Sequence, residues 1–73
     1  MSGPDFKIND IVRSALTGRT YKIYASKEIA YEHAGVAVSP NEFSDFVICE
    51  FPLEAGELEF FLHVPQSHLL PLA

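Results

Sequence analysis

The chain has 73 residues, 48% of them hydrophobic and 21% charged, with mean hydropathy +0.12 and a formal net charge of −5. That length holds one small domain, and that composition is too apolar for a disordered tail. The longest uncharged run, 60–73, is broken by Pro65 and Pro71 and is shorter than the roughly 20 residues of a membrane helix, so no membrane partner is expected.

Residues 1–5, with Gly3 and Pro4, read as a flexible lead-in, and 6–73 as a single small β-barrel-like domain. The start of the chain lacks the apolar run of a signal peptide, and the single Cys49 has no internal disulfide partner. Both point to a reducing, cytoplasmic setting.

The first predicted strand covers 10–14, after the turn-prone Asn9-Asp10 pair. A turn around Gly18 leads into a second strand over 21–25, where aromatic and β-branched residues alternate, and the two form a hairpin. The middle changes character. Ser26 is placed to cap a short helix over 27–34, with Glu28 near its positive end and Gly35 as its stop. A brief extended piece at 36–38 follows. Ser39-Pro40-Asn41-Glu42 then fits a capping box with proline at the first helical position, which predicts one more helical turn before Asp45.

Strong β signals return at 46–51 and 58–64, joined by a turn around Gly56. Leu58, Phe60, Leu62 and Val64 alternate with Glu59, Phe61 and His63, so the aliphatic set is expected to face the core. A tight or 3-10 turn at 65–68 and a closing strand at 69–72 end the chain. The expected core is Val12, Ile23, Val47, Phe51, Leu58, Phe60, Leu62 and Leu69. The fold class is mainly β: four or five antiparallel strands in a small barrel with a short helical insertion. An α+β arrangement, with the helix packed on the sheet, is the alternative.

Asn9-Asp10-Ile11-Val12-Arg13 and His63-Val64-Pro65-Gln66-Ser67-His68-Leu69-Leu70-Pro71-Leu72 resemble the opening and closing strands of small bacterial SH3-like barrel proteins. The resemblance covers the two ends, and 26–45 has no counterpart in it. The plasmid-borne type II dihydrofolate reductases share this layout, with a Val-Gln-Ile-Tyr segment before a proline lining their active pore. Here Phe61-Leu62-His63-Val64 precedes Pro65, without that glutamine and tyrosine, so reductase activity is not carried over.

No catalytic, metal or cofactor motif stands out, and no cofactor is expected. His33, His63, His68 and Cys49 match no zinc spacing, and Cys49 reads as a small buried hydrophobe. Glu59 and His63 share one strand face, as an acid and base would, although exposed groups on one strand are more often structural. Ser67-His68 adjacency says nothing of a nucleophile without an orienting acid.

Charge is segregated. All five bases precede residue 28, where two acids oppose them for a net of +3; eight acids and no base follow. Non-specific nucleic-acid binding is therefore not expected. Glu50, taken to point outward, brings Phe46 and Ile48 onto the outer face, where Phe61 of the next strand joins them. These three, rimmed by Glu50 and Glu59, form the expected protein interface unless the middle segment covers it. The function expected is a small soluble non-enzymatic protein-interaction module, binding itself or another protein. Two alternatives are an oligomeric barrel enzyme with a site at its symmetry axis, and an acidic inhibitor that imitates nucleic acid through Glu28, Glu32, Glu42, Asp45, Glu50, Glu54, Glu57 and Glu59.

Overall fold

The computed structural model describes residues 6–72; the lead-in expected over 1–5 lies outside them. The chain is mainly β. Its strands are β1 (Ile11–Ser14), β2 (Thr20–Ser26), β3 (Tyr31–His33), β4 (Val36–Val38), β5 (Phe46–Glu50), β6 (Phe61–Val64) and β7 (Leu69–Pro71), with a 3-10 turn at Gln66–His68 before the last. Five strands form one antiparallel sheet in the order β6-β5-β2-β1-β7, and β3 and β4 form a separate hairpin.

The β1–β2 hairpin matches the sequence pattern, with Val12 opposite Tyr21 and a tight loop through Gly18 at φ +75°. Ser14 organises that loop: its Oγ accepts from the backbone N–H of Leu16 and Thr17, at 3.1 and 3.2 Å. β2 then alternates faces. Tyr21 and Ile23 are buried on one side with Val12, Phe46, Ile48 and Leu69, and Phe6, Ile8 and Val64 close this core at its margin. The register shifts between Ile23 and Ala25, a bulge that brings Ala25 level with Val47 on the opposite face.

No α-helix forms among the described residues, which corrects the helices expected at 27–34 and after Ser39 and removes the α+β alternative. The local signals were genuine, but each closes only one turn. Ser26 Oγ accepts from Glu28 and Ile29 N–H at 3.3 and 3.2 Å, the bonds a helix cap would make. The chain then leaves as β3, whose Tyr31 packs edge-on against Tyr24 at 5.0 Å. Asn41 likewise caps a turn, its Oδ1 accepting from Phe43 N–H. His33 pairs with Val36 across Ala34-Gly35, both at positive φ as a two-residue type I′ hairpin turn requires.

The sheet is not closed into a barrel; β6 and β7 are its two edges. This openness overturns half of the expected core. Val12, Ile23, Val47 and Leu69 are buried, whereas Phe51, Leu58, Phe60 and Leu62 are exposed. The last three precede or lie in β6, and side chains on an edge strand have a neighbour on one side only.

Candidate functional site

Each face of the sheet presents a different chemistry near β6. On the core side, Phe46, Ile48 and Glu50 of β5 share a face with Tyr21 and Ile23, and Leu62 and Val64 of β6 continue it. Past Ile48 the core runs out. Tyr21, Leu53, Leu58, Phe60 and Leu62 there line an open groove of about 350 Å³, with Leu58 71% and Phe60 68% exposed. Its rim is charged: Arg19 Nη1 donates to Glu50 Oε1 at 3.1 Å, and Glu57 lies beside them. The Glu50 hydrogen bond, and then its charge, hold the Arg19 guanidinium above its usual pKa.

The opposite face is covered. Tyr24 of β2, Tyr31 and His33 of β3 and Phe61 of β6 form a cluster with centroids 5.0 to 6.0 Å apart. These ring contacts fasten the β3–β4 hairpin to the sheet. Beneath it Val47 and Cys49 are buried. Burial, and then the Glu59 carboxylate, push the Cys49 thiol above its ordinary pKa, which disfavours the thiolate, its reactive form. Burial chiefly raises the Tyr24 phenol as well, with the Cys49 and Glu59 charges adding to it.

The five residues expected at the interface are therefore not brought together. Phe46 and Ile48 are 6% and 1% exposed in the core, with Glu50 at the end of their own row. Phe61 and Glu59 belong to the other face, where the middle segment half-covers Phe61, as a hairpin in place of a helix. Glu50 does share a face with Phe46 and Ile48, as the alternation requires. That face is the inner one, and Glu50 reaches its rim to meet Arg19. Leu58, Phe60 and Leu62, the exposed apolar row, are core residues in the sequence pattern, and the half-buried Leu53 beside them falls in its turn. Their alternation marks a buried face; only the strand order shows that this row overhangs an edge.

The other chemically capable groups stand apart. His63 Nδ1 accepts from the Asn41 N–H at 3.1 Å, and the His68 carbonyl accepts from Ala15 N–H at 2.8 Å. No group of three or more His, Cys, Asp or Glu side chains among the described residues is placed to hold a metal ion. A cleft of about 610 Å³ runs past Phe6, Lys7, Lys27, Asp45, Phe46 and Gln66. Asp45 is fully engaged in it: Oδ2 accepts from the Gln66 N–H at 2.7 Å, and Oδ1 meets Lys27 Nζ at 3.3 Å. No helix of the described residues is long and apolar enough to cross a membrane. No protein-family model, curated protein or solved structure matches the chain.

Proposed function

We propose that this protein is a small non-enzymatic interaction module that self-associates through the apolar groove beside its last hairpin. The observation that carries the reading is the row Leu58, Phe60 and Leu62, exposed beside Leu53 and rimmed by Arg19, Glu50 and Glu57. An apolar centre inside a charged rim is the anatomy of a protein interface. A domain of this size also has a small core, so burial of the row in an oligomer adds stability that the monomer lacks. We further propose that the sheet is of the SH3-like kind. Its support is the meander β1-β2-β5-β6, with β3–β4 inserted between its second and third members, and the return of β7 beside β1 after a 3-10 turn.

Sedimentation equilibrium tests the interaction reading. The unmodified protein is expected to assemble at high micromolar concentration, and Phe60→Lys to sediment as a monomer with an unchanged far-UV spectrum. A monomeric unmodified protein under those conditions removes the reading.

A further inference from the structure

β6 is an edge strand with no charged residue from Phe61 to Val64, and among the described residues no strand pairs with its outer side. Edges exposed to solvent are ordinarily guarded by lysine, proline or a bulge within the strand, because unpaired backbone groups recruit another strand. Here Pro65 only follows the strand. Resting on the self-association reading above, we infer that the occupant of this edge is β6 of a second copy, paired antiparallel about a two-fold axis at Phe61.

A two-fold axis perpendicular to the sheet keeps each face of one copy continuous with the same face of the other. Paired positions must then have an even sum, since directly opposite residues in antiparallel strands share a face. Centring on Phe61 requires residues 58–60, which precede β6, to extend it as strand on pairing, and then puts Phe60 opposite Leu62 of the second copy and Leu58 opposite Val64, all on the groove side. On the other side Glu59 falls opposite His63. His63 Nδ1 already accepts the Asn41 N–H, so in the neutral ring the proton sits on Nε2, a donor for the facing carboxylate. Centring instead on Leu62 sets Glu59 against Pro65 and leaves it without a partner. The complementarity of Glu59 and His63, made twice by symmetry, selects the Phe61 register.

A charge exchange tests it, read by sedimentation equilibrium with circular dichroism as the folding control. His63→Glu sets two pairs of carboxylates face to face and is expected to weaken the dimer about tenfold, as is Glu59→Lys, which removes the acceptor. The double variant Glu59→Lys/His63→Glu restores opposite charges and is expected to recover the unmodified affinity to within about threefold. Folding damage by either substitution would not be repaired by adding the other. A dimer insensitive to both single variants, or a double variant no better than the singles, overturns this pairing while leaving self-association through the groove intact. A monomeric unmodified protein overturns both.

Discussion

Two phenylalanines on the same side of the sheet carry opposite consequences. Phe46 is buried, its ring 6.1 Å from that of Phe6 in an edge-on contact, whereas Phe60 is mostly exposed. Phe46→Ala is expected to cost about 3 to 5 kcal/mol, most of what a small domain has, while Phe60→Ser should change monomer stability by less than about 0.5 kcal/mol. Urea midpoints of the two variants at a concentration where the protein is monomeric separate them; equal losses would mean that Phe60 is packed after all. The sequence pattern interchanges the two, because a charged residue ordinarily marks the outer face. Glu50 is charged and yet lies on the inner row, where the strand has outrun the core and Arg19 awaits it. Asp45 gives a second residue-scale test. The Gln66 N–H is the main cause that holds its carboxyl below the ordinary 3.8, with Lys27 adding to it against partial burial. A depressed folded value contributes stability above the ordinary one, and that contribution fades as pH falls through the folded value. Asp45→Asn should therefore lower the urea midpoint at neutral pH and flatten its decline over the acid range; an unchanged acid limb would show that the Gln66 and Lys27 contacts contribute nothing.

At the scale of elements, the strands with alternating β-branched and aromatic residues were legible: β1, β2, β5, β6, β7 and the 3-10 turn all fall within a residue or two of where the pattern places them, save that β6 begins late, at Phe61. The middle was not. Ser26 and Asn41 each make side-chain bonds to the following backbone, and such bonds serve a helix start and an isolated turn equally. What diverts the chain after Ser26 is tertiary: the Tyr31 ring finds Tyr24 and Phe61 on the sheet, and no window of sequence contains all three. The β3–β4 turn carries a correctable flaw. Ala34 sits at φ +52° beside Gly35 at +80°, a conformation that costs an L-residue with a Cβ about 1 to 2 kcal/mol and that asparagine tolerates better. Ala34→Asn is thus expected to raise stability by up to about 1 kcal/mol, seen as a higher melting temperature. A lower one would mean that the hairpin does not use this turn.

For the whole molecule, the separation of bases from acids along the chain does not survive folding as two opposed poles. Arg19 reaches Glu50 across 31 positions, Lys27 reaches Asp45, and Lys22 Nζ lies 5.6 and 5.5 Å from the centres of the Tyr24 and Phe51 rings. Arg13 is turned onto the Gly18 carbonyl at 2.6 Å. Most of the basic side chains are thus spent on contacts within the fold, while the net charge remains −5. Duplex DNA gains affinity by exchanging condensed counterions for clustered lysines and arginines, and a negative protein meets repulsion instead. Fluorescence anisotropy with a labelled duplex at physiological salt is therefore expected to show no submicromolar binding. Removing one acid partner refines the test: Glu50→Gln frees Arg19 and takes away one negative charge, yet a single released base adds only one counterion's worth of salt dependence. Binding should remain weak in that variant too, and submicromolar, salt-sensitive affinity in either protein would mean that Arg13, Arg19 and Lys22 act together as a phosphate-binding patch.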